Sequence, residues 1–201
     1  YNVLHGEATP LEAVIETEVP NLHFIPANMD LAGAEVELVS AIAREYKLKN
    51  ALDKVKEEYD FIFIDCPPSL GLLTVNALTA STDIMVPVQC EFFAMEGLSQ
   101  LFNTIDLIRK SLNPDLNMLG ILLTMYDRRN RLSRLVEKDV RRHLGERVLE
   151  TRIPRNVRLS EATSFGRPAL FYDVKCPGSQ AYIRLAAEIM KKDKQKIKKV
   201  A

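Results

Sequence analysis

Cysteine is scarce and poorly placed for building structure. Cys66, Cys90 and Cys176 are the whole set, odd in number, far apart and without C-x-x-C spacing, which argues against a disulfide framework and a zinc site and fits a reducing cytoplasm. No apolar run approaches the roughly 20 residues needed to cross a bilayer. The first residues lack the charged and apolar zones of a secretion signal. His5, His23 and His143 are isolated and make no metal set, and no Ser-His-Asp order accompanies them. There is no internal repeat, low-complexity linker, zinc finger or aromatic RNA-binding signature. Also missing is a glycine-rich loop ending in Lys-Ser/Thr, the device that cradles nucleotide phosphates.

What is present is ample apolar material. With 47% apolar content in 201 residues, the chain can bury one sizeable core, and a single domain over residues 1–190 is expected, followed by a lysine-rich tail over 191–201. Short apolar runs bounded by turn residues read as strands at Leu22–Pro26, Tyr59–Asp65, Ile84–Gln89, Met118–Tyr126 and Val148–Ile153. Helical periodicity marks Gly33–Tyr46, Leu48–Glu58, Leu70–Ala80, Met95–Ser111, Leu132–Leu144 and Ser179–Lys192. Strand and helix in alternation predict an α/β fold, a mostly parallel sheet with helices on both faces.

The segment Tyr59–Leu78 carries the sharpest chemical signal. Four apolar residues, Phe61 to Ile64, run directly into Asp65, and the turn Cys66-Pro67-Pro68-Ser69-Leu70-Gly71 follows. A carboxylate in that setting must be solvated, paired or metal-linked. At the carboxyl edge of a parallel sheet it faces the crevice where α/β folds bind ligands. The arrangement matches the second acidic motif of P-loop nucleotidases, whose Asp helps hold nucleotide-bound Mg²⁺; the alternative is an Asp that caps the next helix or turn. Pro67 and Pro68 stiffen the turn, leaving amides of Ser69 and Gly71 to meet a terminal phosphate. Cys66 reads as a packed side chain, with no base near it in sequence, and Ser160-Glu161 as a helix start.

Charge is divided unevenly. Residues 1–100 hold 5 basic and 16 acidic side chains, residues 101–201 hold 22 and 11. Such a split points to an anionic partner for the second half or to an ordinary solvated surface. Eleven Lys or Arg residues lie between Arg128 and Arg158 against four acids, and guanidinium forks suit phosphate oxygens. A salt-bridged helix face is the other reading of Arg131 to Arg142.

Five stretches in order, IPANMDLAGAEVEL (Ile25–Leu38), YDFIFIDCPPSLGLLTVNALTA (Tyr59–Ala80), VPVQCEFFAMEGLSQL (Val86–Leu101), NMLGILLTMYDRR (Asn117–Arg129) and IPRNVRLSEATSFGRPALFYD (Ile153–Asp173), resemble the ParA/Soj family of chromosome- and plasmid-partitioning ATPases, within the deviant-Walker, MinD-like P-loop NTPases. The resemblance implies ATP and Mg²⁺ as cofactors and an ATP-dependent homodimer that coats nucleoid DNA without sequence preference. Hydrolysis would be stimulated by a ParB-like centromere-binding partner, in the cytoplasm and without integral membrane contact. By the same resemblance Asp65 acts on Mg²⁺, and Pro67, Pro68, Ser69 and Gly71 form the switch that senses the γ-phosphate. Thr124, Met125, Tyr126 and Asp127, with Pro154, Arg155 and Asn156, lie around the adenine. Arg155, Arg158 and Arg184 contact DNA, with the tail lysines in support, and Gln89, Glu91 and Glu96 lie near the crevice without an assigned proton role.

Family members open with a strand, a phosphate loop and its helix, none of which is visible in this chain, which starts at Tyr1. The expectation is therefore an N-terminally truncated chain that alone neither hydrolyses ATP nor dimerises around it, with unpaired neighbouring strands and an exposed apolar seam. Two other readings stay open: a MinD-like membrane-surface ATPase that anchors through its C-terminal helix, and a non-catalytic truncated module that binds full-length relatives.

Overall fold

A computed structural model describes residues 1–67, 69–91 and 94–200, without the side chains of 94–96 and 196–200. Pro68 and the side chains of Glu96, Lys196, Lys198 and Lys199 thus lie outside the described residues. Two compact units are present, residues 1–82 with 101–116, and residues 83–100 with 117–201.

In the first unit, α1 (Asn2–His5) stops at Gly6, whose φ of 77° needs a residue free of Cβ. The next helix, α2 (Pro10–Ala13), opens with Pro in its first turn and a reciprocal capping box between Thr9 and Glu12. Strands β1 (Ile15–Glu16) and β2 (His23–Phe24) pair antiparallel. The predicted strand Leu22–Pro26 is therefore cut to two residues of a hairpin ladder, with Asn21 at φ 62° just before it. The predicted helix Gly33–Tyr46 also breaks: α3 (Asp30–Glu37) tightens into a 3₁₀ turn at Leu38–Ser40, and Ala43 at φ 51° precedes another at Arg44–Tyr46. Helices α4 (Lys47–Leu52) and α5 (Leu72–Ala80) follow.

Leu4, Ala34 and Leu38 are buried together, with Leu31, Leu48, Leu72 and Leu73 packed on them. Asn76, 1% exposed, ties this cluster. Its Nδ2 donates to Arg44 O and Leu72 O, and its Oδ1 accepts from Leu48 N–H at 3.1 Å. Both donors and the acceptor of one buried amide are thus used in joining α5 to the chain around α4.

The expected strand Tyr59–Asp65 is not a strand. It enters no ladder, and Phe61, Ile62 and Phe63 are exposed by 45%, 41% and 74%. An apolar run becomes a strand only when a neighbour accepts its backbone hydrogen bonds, and no described strand does so here.

Helix α6 (Ala94–Ser111) contributes its part from Leu101 onward to the first unit, where Ile105 and Ile108 are buried.

The second unit is built on a parallel ladder in the order β3 (Asp83–Gln89), β4 (Asn117–Tyr126), β5 (Val148–Pro154). Ile121, Leu122 and Leu123 of β4 are all at most 4% exposed, so both faces of this strand are covered, as the unbroken apolar run predicts. Gly120 lets the strands approach: a Cβ there would meet Leu149 Cδ2 at 2.6 Å. Helix α7 (Arg131–Leu144) is capped by Asn130, α8 (Val157–Ser164) by Asn156, and α9 (Ala169–Tyr172) and α10 (Pro177–Val200) follow. Ala181 and Leu185 of α10 pack on Leu122, Leu149 and Ile153. No helix among the described residues is long and apolar enough to cross a membrane.

Glu188 of α10 accepts from the backbone N–H groups of Glu150 and Thr151 at 2.8 and 2.9 Å. Burial pushes this carboxyl up, but the hydrogen bonds from Thr151 and Glu150, with Lys192 nearby, outweigh it and hold it below the usual range. Glu188→Gln should cost about 1 kcal/mol at neutral pH. Because the folded value is depressed, that stabilisation is complete above the unfolded value and fades as pH falls through the folded one. Urea midpoints of the two proteins should therefore converge between about pH 5 and pH 3; a constant gap would refute the assignment.

Candidate functional site

In the first unit the Asp65 turn sits at the surface. Asp65, Cys66, Pro67, Ser69 and Leu70 are exposed, and the Asp65 carboxylate has no hydrogen bond or ion pair among the described residues. Cys66 is exposed rather than packed; the surrounding chain and then the Asp65 charge push its thiol up, which disfavours the nucleophilic thiolate. The end of the turn is tethered: Thr74 Oγ1 donates to Ser69 O at 2.6 Å, and Val75 N–H to Gly71 O at 3.0 Å. Glu35 of α3 reaches the same place, with Leu73 N–H donating to its Oε1 at 3.4 Å.

No group of three or more His, Cys, Asp or Glu among the described residues is arranged to hold a metal ion. Mg²⁺ does not need one. It keeps most of its waters and takes one or two carboxylates beside substrate phosphates, a demand that a single exposed, unpaired Asp65 fits.

In the second unit the predicted strand-end residues come together. Tyr126 is in register with Pro154, Arg155 N–H donates to Tyr126 O at 3.0 Å, and Cys90 N–H donates to Thr124 O at 3.1 Å. Met125 adopts φ 51°, a left-handed conformation that costs an L-residue roughly 1–2 kcal/mol, and its side chain is 37% exposed. Such strain at a strand terminus is a mark of sites shaped for a task. Asp127 Oδ1 accepts from Arg129 N–H at 2.8 Å, closing the loop. Asn156 commits its side chain to Arg158 N–H, at the start of α8. Gln89 and Glu91 are exposed at and just after the end of β3, and Glu91 pairs with Arg155 at 3.2 Å.

The arginines divide into bound and free. Arg152 stacks over the Tyr126 ring at 5.2 Å and pairs with Glu137, which also takes Arg141 at 2.9 Å. Near this pair, burial first and then the Glu137 charge push the Cys90 thiol up to about 11, against a smaller opposing effect of Arg152. Arg158 pairs with Glu161 at 2.7 Å and Asp173 at 3.7 Å, and its hydrogen bond holds the Glu161 carboxyl low. By contrast Arg131, Arg134, Lys138 and Arg142 of α7 are exposed and make no ion pair among the described residues. Their spacing of three or four puts them on one helical stripe. Arg184 is exposed on α10.

Sequence reading missed Glu35 and Glu137. The hint for Glu35 was a helix starting after Gly71, which has no capping side chain and so needs a cap from elsewhere. Glu137 gave no signal beyond its i,i+4 spacing to Arg141.

The family model described as "AAA domain" matches residues 1–118. The chromosome partitioning protein ParA of Caulobacter vibrioides is 53% identical over 203 residues, covering 100% of this chain and 76% of the relative. The sporulation initiation inhibitor protein Soj of Bacillus subtilis is 52% identical, covering 94% of this chain and 75% of its own. Among solved structures, cobyrinic acid a,c-diamide synthase of Mycobacterium smegmatis with bound ATP analogue and magnesium superposes with a TM-score of 0.72 at 42% identity, over 83% of this chain and 72% of that one.

Replacing Met125 by Gly should relieve the left-handed backbone and raise stability by about 0.5–1 kcal/mol. Thermal melting reads the change, and a lower midpoint would show that the thioether packs more tightly than its exposure indicates.

Proposed function

The chain belongs to the ParA/Soj family of chromosome-partitioning ATPases, and on that premise we propose that it serves an ATP-dependent partitioning cycle in the cytoplasm, dimerising with ATP and riding non-specifically on nucleoid DNA. The observation that carries this reading is the free Asp65 carboxylate beside a stiff turn tethered at Ser69 and Gly71. Bound Mg²⁺ would neutralise charge on the nucleotide phosphates. Asp65 would hold the ion, Pro67, Pro68, Ser69 and Gly71 would present the sensing turn, and the strand ends Thr124–Asp127 and Pro154–Asn156 would flank the adenine. The strain at Met125 supports that last role. A ParB-like partner would stimulate hydrolysis.

Non-specific DNA binding is supported by the four unpaired cations of α7, which meet the need of phosphate contact without base reading. Arg184 adds an exposed charge, whereas Arg155 and Arg158 must exchange Glu91 and Glu161 for phosphate before they can contribute.

Two measurements test the reading in the full-length protein encoded by the source gene. Asp65→Asn should weaken ATP binding about tenfold in the presence of Mg²⁺ and leave Mg²⁺-free binding unchanged; equal loss in both conditions counts against a metal role. Alanine at Arg131, Arg134, Lys138 and Arg142 should flatten the dependence of log affinity for DNA on log salt by roughly 0.9 for each phosphate that is no longer neutralised. An unaltered slope would remove α7 from the interface.

A further inference from the structure

α5 begins without a cap of its own. Its N-cap position is Gly71, extended at φ −82° and lacking a side chain, so the first-turn N–H groups depend on partners from other segments. Glu35, 38 positions earlier on α3, supplies one through Leu73 N–H. The 3.4 Å separation marks a charge–dipole contact more than a strong hydrogen bond. Its carboxylate also lies directly over Gly71. A Cβ there would fall 1.9 Å from Oε1 and 2.8 Å from Cδ, so glycine at 71 is what lets the Glu35 carboxylate come this close. From the other side Thr74 Oγ1 grips Ser69 O. The last residues of the turn are therefore pinned between their own helix and a carboxylate from a different one.

We propose that Glu35 is a positioning residue for the phosphate-sensing turn. It touches no phosphate. Its carboxylate fixes the start of α5 and the height of Gly71, and so sets where the N–H groups of Ser69 to Gly71 point, which is what allows the turn to tell a triphosphate from a diphosphate. This rests on the nucleotide reading of the Asp65 turn.

Four variants of the full-length protein test it: Glu35→Ala, Glu35→Gln, Gly71→Ala and the double variant Glu35→Ala with Gly71→Ala. Amide exchange at Leu73 should quicken about tenfold in Glu35→Ala, with Ala77 to Thr79 unchanged and Glu35→Gln intermediate. The ratio of ATP to ADP affinity should fall roughly fivefold or more while ADP affinity holds. Gly71→Ala should lose the same discrimination, and removing Glu35 in that background should worsen it no further, because the space for the new methyl group is then open. Parallel loss of ATP and ADP affinity would reduce Glu35 to a purely structural contact and overturn the proposal, as would unchanged exchange at Leu73. Intact ATP binding with an unaltered ratio overturns the positioning role alone, whereas a wild-type protein that binds neither nucleotide overturns the nucleotide reading and the sensing role with it.

Discussion

β4 is hydrogen-bonded to a parallel strand on each side, and that double pairing is the constraint from which the second unit follows. A strand held this way has its backbone groups committed to its neighbours, and with Ile121 to Leu123 buried on both faces it has no free surface there either. Freedom begins only where the ladder ends. Thr124 and Tyr126 still stand in register with Gln89 and Pro154, and past them Asp127 and, on the neighbouring strand, Arg155 and Asn156 lead out of the sheet, with Arg155 N–H to Tyr126 O and Arg129 N–H to Asp127 Oδ1 shaping the strand-end loops. The first unit has no comparable sheet among its described residues. There a single buried amide, Asn76, takes over the work of alignment by joining three separate backbone sites.

This difference explains what could be read from sequence. β3, β4, β5, α7 and the start of α10 fall within one or two residues of their predicted bounds, because double-sided burial writes itself as an unbroken apolar run and an amphipathic helix as a clear period. Tyr59–Asp65 has the same apolar run and yet forms no strand, since pairing belongs to the neighbour as much as to the segment. The helix predicted over Gly33–Tyr46 stops short for a related reason: Ala41 turns extended and Ala43 left-handed, and periodicity carries no trace of such residues without glycine or asparagine to announce them. In the candidate site, Asp65 and the strand-end residues were legible because each follows directly on an apolar stretch. Glu35 was not, since its partner lies 38 residues away and nothing local to either segment names the other.

Charge shows the same lesson at the surface. Composition marks residues 101–201 as basic, but only the fold separates arginines that are already paired from those that are not. Glu137 occupies Arg141 and Arg152, and the acids at Glu91, Glu161 and Asp173 occupy Arg155 and Arg158. Among the described residues Arg131, Arg134, Lys138 and Arg142 form no ion pair and share one stripe of α7, and Arg128, Arg129, Arg147, Arg167 and Arg184 are likewise exposed without one. Exposed ion pairs of this kind contribute little to stability, so their main effect is to take Arg141, Arg152, Arg155 and Arg158 out of the unpaired positive surface.

Glu188 has a further meaning. Among the described residues β5 pairs with β4 alone, and that ladder is irregular. Between the pairs Ile121–Val148 and Leu123–Arg152, β5 carries two more residues than β4, so Glu150 and Thr151 sit in a bulge, and α10 places a carboxylate on both of their amides. The same contact that seats the helix therefore also satisfies backbone donors at an irregularity of the ladder, and a loss of α10 would leave both amides without that acceptor.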